Sequence, residues 1–392
     1  MKNKKPKHII IIAGETSGDI HASNLVKSIK QLDPSVSFSG LGGPRMKKAG
    51  VNIYYDMTHI AVVGFFEVIR HIIKFKKIFN LILKKIKEKQ PSAVILVDYP
   101  GFNIRLAKQI KKISTCKVIY YISPQVWAWK EKRIYLLKKY TDKILVFFLF
   151  EKELYSKFGM DVKFVGHPLL DTVKTNKTRD EILSSLNLYT DRITIGLLPG
   201  SRKKEISRHL PVMLQAAHIL NEQLHNIQFV IIKAESITKR EINSHLKDYL
   251  HSNNPLILKI AKKDRYSVIN SCDACMVASG TATLETAILQ KPMVVVYKTS
   301  FITWIIAKLL IKIPNIGMVN VVAGKRIVPE CVQFSAIGEK IAKAIRPYIT
   351  NKAIISQTKK ELKKVKALLG KGGASINAAK IIVKIITEYS DN

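Results

Sequence analysis

Three short motifs place polar or charged side chains directly after runs of aliphatic residues. Asp98 opens DYPGFN after Ala93–Val97, where it could act as a general base or simply cap the next helix. Arg202 ends LLPGSR, and a guanidinium beside a glycine turn matches a phosphate in charge and geometry. Ser279–Glu285, SGTATLE, suits a diphosphate at the positive end of a helix, with Glu285 placed to accept ribose hydroxyls.

Two further motifs leave their function open. Gly14–Asp19, GETSGD, combines glycines with a helix start and fits either a ligand-binding loop or a tight turn. Ser123–Arg133, SPQVWAWKEKR, has two tryptophans that could pack on a sugar or an acyl chain, or fill the core.

Metal and redox chemistry have little support in the sequence. No Asp-x-Asp pair, which would hold a divalent cation on a diphosphate, occurs in the chain. Cys272 and Cys275 form a CxxC without two further ligands at matching spacing, and the four cysteines are too few for a disulfide framework. We therefore expect no metal or other cofactor, and a reducing cytoplasmic environment.

The elements that must position these motifs alternate between strand and helix. Aliphatic runs that predict buried strands precede amphipathic segments in both halves of the chain. These runs are Ile9–Ile12, Ala93–Val97, Val118–Tyr121, Ile144–Phe148, Ile193–Leu198, Phe229–Ile232, Ala274–Val277 and Met293–Tyr297. We predict an α/β fold of two Rossmann-like domains with parallel sheets facing across a cleft, in which the ligands bind.

The domain boundaries are predicted from the polar stretch between the two sets of strands. Residues 1–185 form the first domain, joined by a C-terminal helix over 353–392, and residues 190–350 form the second. Neither the N-terminal apolar run nor Phe301–Ile313 approaches the roughly 20 residues that span a bilayer, so no transmembrane helix is expected.

The net charge of +36 favours anionic partners, namely phosphorylated lipids, anionic membranes or nucleic acids, although many lysines could simply be solvated. Val62–Lys89 has the pattern of a basic amphipathic helix, which fits an anionic lipid surface or packing on the sheet with a lysine face in water. The predicted membrane contacts are Val62, Phe65, Phe66, Ile69 and Ile73.

Eight motifs together resemble the lipid-A-disaccharide synthase family, which consists of inverting glycosyltransferases. In chain order they are AGETSGD, GGPRM, DYPGFN, SPQVWAW, FEKELY, VGHPLLD, LLPGSR and SGTATLE, and they span residues 13–285. The resemblance implies a GT-B fold and transfer of 2,3-diacylglucosamine from UDP-2,3-diacylglucosamine to the 6-hydroxyl of 2,3-diacylglucosamine 1-phosphate. The products would be a β(1→6) disaccharide 1-phosphate and UDP.

The resemblance also implies roles for individual residues. Asp98 would deprotonate the acceptor hydroxyl. The UDP-sugar would be held by Arg202, Ser279, Gly280, Thr281, Glu285, Asn320, Glu330 and Gln333. The acceptor/donor loop would contain Gly14, Glu15, Ser17, Asp19 and Asn103. Where the family reads Leu-Pro-Asn, this chain has Met318, Val319 and Asn320.

Location and assembly follow from the same resemblance. We expect a cytoplasmic protein, peripheral on the inner face of the inner membrane, with a homodimer as one admissible assembly. A UDP-N-acetylglucosamine epimerase and a glycosyltransferase of peptidoglycan synthesis share the fold and remain alternatives. A nucleic-acid binder is not expected, because no RRM, zinc-finger or helix-turn-helix signature occurs.

Overall fold

The computed structural model of the protein describes residues 7–58, 72–127, 132–246, 249, 254–310 and 313–391. The chain divides into two compact units. The first consists of Met1–Pro168 with Lys371–Asn392, and the second of Leu169–Gly370.

The first unit is built on a seven-stranded parallel sheet of order β3-β2-β1-β4-β5-β6-β7. Its strands are β1 His8–Ala13, β2 Ser37–Gly42, β3 Asn52–Asp56, β4 Ala93–Val97, β5 Lys117–Tyr121, β6 Lys143–Val146 and β7 Val162–Phe164. Central strands such as β1 and β4 are almost continuously aliphatic because both sheet faces are covered.

Helices pack on both faces of this sheet. They are α1 Thr16–Leu32, α2 Pro44–Lys48, α3 Ile72–Lys89, α4 Pro100–Ile113, α5 Arg133–Tyr140 and α6 Leu149–Lys157. Alternate residues of β1 enter opposite cores: Ile9 and Ile11 pack with α1, whereas Ile10 and Ile12 pack with α3 and α4.

The second unit repeats the plan with a six-stranded parallel sheet of order β10-β9-β8-β11-β12-β13. The strands are β8 Ile193–Leu198, β9 Ile227–Ile232, β10 Leu258–Ala261, β11 Ala274–Ala278, β12 Met293–Tyr297 and β13 Glu330–Val332. Its helices are α7 Leu169–Thr172, α8 Arg179–Ser185, α9 Lys203–Gln223, α10 Lys239–Asn243, α11 Arg265–Ser271, α12 Thr281–Ile288, α13 Phe301–Leu310, α14 Met318–Ala323, α15 Gly338–Ile345, α16 Pro347–Thr350 and α17 Lys352–Leu368.

The last helix, α18 Ala374–Asp391, belongs to the first unit, where Ala378, Ile382 and Ile386 are buried in the core shared with α1. Residues 353–392 were predicted to form one helix, but they form two, and α17 stays with the second unit. Gly370, Gly372 and Gly373 separate them with φ values of 97°, 83° and 71°, a conformation that glycine adopts readily.

The boundary between the units also differs from the predicted 1–185, because residues 169–185 pack with the second unit. Arg179 in α8 fixes this segment. Its guanidinium donates to Asp273 at 3.0 Å, to the carbonyl of Arg192 at 2.8 Å and to the carbonyl of Ser271. A polar stretch in the sequence thus proved to be an anchored part of the second unit.

Both sheets confirm the predicted α/β class, and both have a point where the strand order reverses. In the first unit the chain builds outward from β1 to β3 and then returns to β4 on the other side of β1. The second unit does the same around β8 and β11. Ligands of open parallel sheets bind beyond the carboxyl ends of the strands at this switch point.

Candidate functional site

Asp98 follows β4 at the switch point of the first sheet. Asp98 and Tyr99 both have φ of 47°, a left-handed conformation that is costly for residues other than glycine. Two side chains hold this turn through the Asp98 carbonyl oxygen, which accepts from Asn103 Nδ2 at 2.8 Å and from Tyr120 Oη at 2.7 Å. Tyr99, and not Asp98, occupies the start of α4, so the structure gives no support to the helix-cap alternative.

The environment of Asp98 suits a proton acceptor at neutral pH. Burial, and secondarily the negative charge of Glu15, raise the pKa of Asp98 to about 6. The carboxylate is then mainly ionised at neutral pH yet basic enough to take a proton from a hydroxyl in a concerted step.

The motif GETSGD meets DYPGFN at this switch point. A Cβ on Gly14 would lie 2.3 Å from Cδ1 of Tyr99, so the ring position excludes any side chain there. Glu15 and Ser17 are exposed at the start of α1, where backbone N–H groups are available to a ligand. Gly14 thus allows the Tyr99 ring to pack against the loop, and the loop's contact with a ligand stays a prediction.

Asp19 and Asn103 hold the backbone of the loops. The buried carboxylate of Asp19 accepts three backbone N–H groups, from Gly43 at 2.8 Å, Arg45 at 3.0 Å and Met46 at 3.0 Å, and so joins GETSGD to GGPRM. Asn103 donates to the carbonyl of Asp98, but its Oδ1 is buried without a donor among the described residues.

Sequence reasoning assigned no role to Glu151, His21 or His167, although these residues lie in or beside the quoted motifs. Glu151 is 3% exposed, accepts from Trp127 Nε1 at 3.1 Å and has its pKa raised to about 7 by burial. Burial lowers the pKa of His167 to about 3 and that of His21 to about 4, so both imidazoles are neutral. They contact Phe147, with ring centroids 5.7 Å and 5.4 Å away, in an aromatic cluster beyond β6 and β7.

The Trp127 side chain packs and hydrogen-bonds within the first unit. It is half-buried against Phe150, with ring centroids 5.2 Å apart, and is tied to Glu151. Its hydrogen bond fixes it at the carboxyl edge of β5, where a ring face could also meet a ligand. Trp129 lies outside the described residues.

In the second unit, SGTATLE lies at the switch point beside β11. Gly280 precedes α12 with φ of 147°, and a Cβ there would meet no atom within 4 Å, so the space in front of the helix is open. Thr281 is exposed at the first position of α12, and Ser279 Oγ donates to the carbonyl of Ile316 at 2.9 Å. An anion can reach the free N–H groups of this helix.

Glu285 is oriented by a residue that the sequence did not reveal. Arg265 at the start of α11 donates to one carboxylate oxygen of Glu285 through Nε at 3.0 Å and Nη2 at 2.7 Å. A pair of this geometry holds the carboxylate in one place. No spacing signal links these residues, because they come from different helices.

Arg202 lies beyond β8, on the other side of the switch point from Ser279. It is the N-cap residue of α9, and its side chain is largely exposed, 3.5 Å from Glu205. Glu205 Oε2 accepts the backbone N–H groups of Ser201 at 2.8 Å and Arg202 at 3.3 Å, which fixes the loop. Because the guanidinium is largely exposed and paired only at the surface with Glu205, it has room to turn toward a phosphate.

Asn320 and Glu330 join buried loops. Asn320 donates to Glu330 Oε1 at 2.8 Å and to the carbonyl of Val328, and its Oδ1 accepts the N–H groups of Ile327 and Val328. The Glu330 carboxylate accepts further N–H groups from the loop that precedes α14. Through these contacts both residues position the loops that precede α14 and β13.

Gln333 and His209 fix the loop after β12. The side-chain amide of Gln333 pairs with the backbone of Thr299: its Oε1 accepts from Thr299 N at 3.1 Å and its Nε2 donates to Thr299 O at 3.2 Å. His209 in α9 is buried, and its Nε2 accepts the N–H of Lys298 at 3.0 Å while Nδ1 lies 3.0 Å from the carbonyl of Pro199. The ring is neutral, with burial lowering its pKa, and it joins the loops after β8 and β12. Sequence reasoning did not identify His209.

The predicted membrane contacts Val62, Phe65, Phe66 and Ile69 lie outside the described residues. Ile73, in α3, is 71% exposed, whereas Ile78, Ile82 and Ile86 of the same helix are buried in the core. Over its described length, α3 thus packs on its own sheet and exposes lysines.

The described part of the chain contains neither a cluster of potential metal ligands nor a membrane-spanning helix. It contains no cluster of three or more His, Cys, Asp or Glu side chains that could hold a metal ion. Cys272 and Cys275 are buried as free thiols. None of the described helices is both long enough and apolar enough to cross a membrane.

The comparisons with known proteins give one consistent family. A sequence model described as lipid-A-disaccharide synthetase matches residues 9–386. The lipid-A-disaccharide synthase of Geobacter metallireducens is 41% identical over 97% of this chain and 97% of its own. Lipid-A-disaccharide synthase 1 of Legionella pneumophila is 38% identical over 97% of this chain and 98% of its own.

Solved structures share the fold at low identity. MnaA of S. aureus with UDP has a TM-score of 0.62 at 14% identity and covers 98% of this chain and 97% of its own. The calicheamicin glycosyltransferase CalG4 has a TM-score of 0.61 at 12% identity, covering 98% and 99%. The two parallel sheets of this chain, together with its likeness to these structures, confirm the predicted GT-B fold class.

Proposed function

The chain belongs to the lipid-A-disaccharide synthase family, and we propose that it transfers 2,3-diacylglucosamine from UDP-2,3-diacylglucosamine to the 6-hydroxyl of 2,3-diacylglucosamine 1-phosphate. The products are the β(1→6) disaccharide 1-phosphate and UDP. A glycosyltransferase of lipid A biosynthesis is what the family establishes, and the particular substrates are our proposal.

One observation carries the proposal: each sheet has a different chemical group at its switch point. The first has the carboxylate of Asp98, with its pKa raised to about 6. The second has the open helix start at Gly280 and Thr281, with Arg202 across the switch point. A base and an anion site are the two requirements of a single-displacement sugar transfer from a nucleoside diphosphate.

The proposed step inverts the anomeric carbon once. Asp98 accepts the proton of the acceptor 6-hydroxyl while that oxygen forms a bond to the anomeric carbon of the donor. The bond from this carbon to the β-phosphate oxygen breaks, and UDP leaves with the electron pair. No covalent sugar–enzyme intermediate is required, so one base is sufficient.

The leaving diphosphate gains negative charge in this step, and positive groups must stabilise it. We assign this role to Arg202 and to the N–H groups of α12 that begin with Thr281. Glu285, held by Arg265, is proposed to accept the ribose hydroxyls. Because these groups supply the charge, we propose that the reaction needs no divalent metal.

The remaining acceptor and donor contacts are proposed from the loop geometry. The first unit offers Gly14, Glu15 and Ser17 at the start of α1. The second has Asn320, Glu330 and Gln333, which maintain the loops next to the UDP site. We further propose that the protein works from the cytoplasm on the inner face of the inner membrane, where its net charge of +36 favours anionic lipids.

The test is mass spectrometry of the product made by the purified protein from both diacylated substrates in detergent with chelator. We expect a tetraacylated disaccharide 1-phosphate together with UDP. Product that forms only after magnesium is restored would contradict metal independence but retain the reaction. If UDP-N-acetylglucosamine alone is epimerised and no disaccharide forms, the proposed reaction is wrong.

A further inference from the structure

Helix α13 turns an apolar stripe outward. Ile302, Ile305, Ile306 and Leu309 have the spacing that places side chains on one face of a helix. They are 72%, 39%, 51% and 79% exposed. A surface helix normally directs such a stripe into the core, so this orientation is reversed.

A second apolar group extends the same surface. Trp304 packs against Phe334, with ring centroids 5.1 Å apart, and stacks with Phe301 at 6.0 Å. Phe301 and Phe334 are nevertheless 57% and 63% exposed. Single exposed apolar side chains are common. Here five exposed apolar side chains of α13 and the adjacent Phe334 form one patch, which indicates a binding surface.

The charge of the segment that contains α13 favours an anionic partner. The segment from Thr286 to Pro329 contains no Asp or Glu, and its charged residues are Lys291, Lys298, Lys308, Lys312, Lys325 and Arg326, of which Lys325 pairs with Glu361. The Lys308 ammonium lies 5.2 Å from the Trp304 ring centroid, at the border of the patch. An apolar helix face bordered by lysine and tryptophan is typical of helices that lie in the interface of anionic bilayers.

The helix is attached firmly to the UDP-binding edge of its sheet. Only Lys298–Ser300 separate α13 from β12. The backbone of Thr299 is hydrogen-bonded to the Gln333 side chain, and its hydroxyl accepts a hydrogen bond from Arg208 at 3.4 Å. A bilayer bound to α13 would therefore come close to the edge that carries α12 and Arg202.

We propose that the α13 stripe inserts into the interfacial region of an anionic lipid bilayer, as a membrane contact distinct from the one predicted at Val62–Ile73. This inference rests on the proposed function, because a membrane contact near the UDP site is useful only if an acylated donor must leave the bilayer to reach that site. The helix lies in the interface and does not span it.

The experiment measures binding of the full chain to vesicles of phosphatidylcholine with phosphatidylglycerol by co-sedimentation. The double variant Ile302→Ser with Leu309→Ser removes the two most exposed side chains of the stripe. We expect its partition coefficient to fall by about 10- to 100-fold, because each apolar side chain transferred contributes about tenfold.

The matched control is the double variant Ile354→Ser with Leu368→Ser. These residues lie on the lysine-rich α17 of the same unit and are 39% and 37% exposed, but they form no continuous patch. We expect vesicle binding close to that of the wild type. UDP affinity, measured on both variants, should be unchanged, which shows that the second unit is folded.

The docking surface would be overturned if the wild type did not bind vesicles or if the stripe variant bound them equally well. It would also be overturned if light scattering showed a dimeric wild type and a monomeric stripe variant that still bound vesicles. The last would assign the patch to a second copy of the chain. Absence of disaccharide product would instead overturn the proposed reaction, because the vesicle measurement needs no turnover.

Discussion

The carboxyl edges of the two sheets share a topology but differ in their electrostatics. At the first edge the key carboxylate, Asp98, is partly buried in a strained turn and has a raised pKa. At the second edge the carboxylates of Glu285 and Glu330 are held by Arg265 or by backbone N–H groups, and Arg202 remains exposed. Strand order therefore determines where a ligand binds, and the side chains after each strand determine the chemistry.

The difference has a physical cause. Burial disfavours the charged form of the Asp98 carboxylate and raises its affinity for a proton, whereas Arg265 and backbone N–H groups hold the carboxylates of Glu285 and Glu330 in fixed positions. The first edge is thus suited to proton transfer, and the second to holding anions.

The largest expected effect comes from Asp98→Asn, which removes the base but keeps the shape of the side chain. Turnover should fall by roughly 10² to 10⁴-fold, while UDP affinity stays the same because the anion site is in the other unit. Steady-state kinetics and calorimetry with UDP would measure the two effects. The control is Asp161→Asn, which should leave turnover nearly unchanged. Asp161 is an exposed residue next to β7 that pairs with Lys143. Near-normal turnover by Asp98→Asn would remove the contrast between the edges.

The pH dependence should show the same base. With the pKa of Asp98 raised to about 6, the ionised form predominates above that pH and is lost as the pH falls. The ratio kcat/KM, which reports the pKa of the free enzyme, should be about tenfold lower at about pH 5 than on its plateau, because this pH lies one unit below the pKa. A profile that stays flat over this range, or an equal acidic limb in Asp98→Asn, would contradict the assignment.

Arg265→Met would test whether Glu285 needs its partner. We expect UDP to bind about three- to tenfold more weakly, because the carboxylate loses the two hydrogen bonds from Arg265 that orient it. Calorimetry would measure this, with Arg192→Met as the control, since Arg192 stacks on the exposed Tyr189 ring. Unchanged affinity would mean that Glu285 does not contact UDP, and the anion site would then consist of Arg202 and the α12 start.

The smallest effect is expected from His209→Ala, which breaks the link between the loops after β8 and β12. UDP affinity should fall by about threefold, since one neutral hydrogen-bond pair is lost from a positioning residue. His209→Gln, which can donate and accept, should restore part of the affinity. If Ala and Gln variants lose stability equally in thermal unfolding but bind UDP normally, His209 supports only the core.

The strands next to the switch points were predictable because they are central and continuously aliphatic. Ala93–Val97, Ile193–Leu198 and Met293–Tyr297 form as predicted. Short strands such as β7 and β13 were not predicted, since three residues give no periodic signal. The unit boundaries were missed because polar residues at 169–185 are anchored by Arg179 and not solvated as a linker.

The sequence by itself determined the α/β class, the family resemblance and the positions of Asp98, Arg202 and SGTATLE after strands, because these depend on local composition and spacing. Tertiary structure decided the rest. Arg265 meets Glu285 from another helix, His209 joins two loops, and Asn320 and Glu330 complete each other's hydrogen bonds. Only the folded chain brings such partners into contact, and burial, which follows from packing, sets the pKa of Asp98.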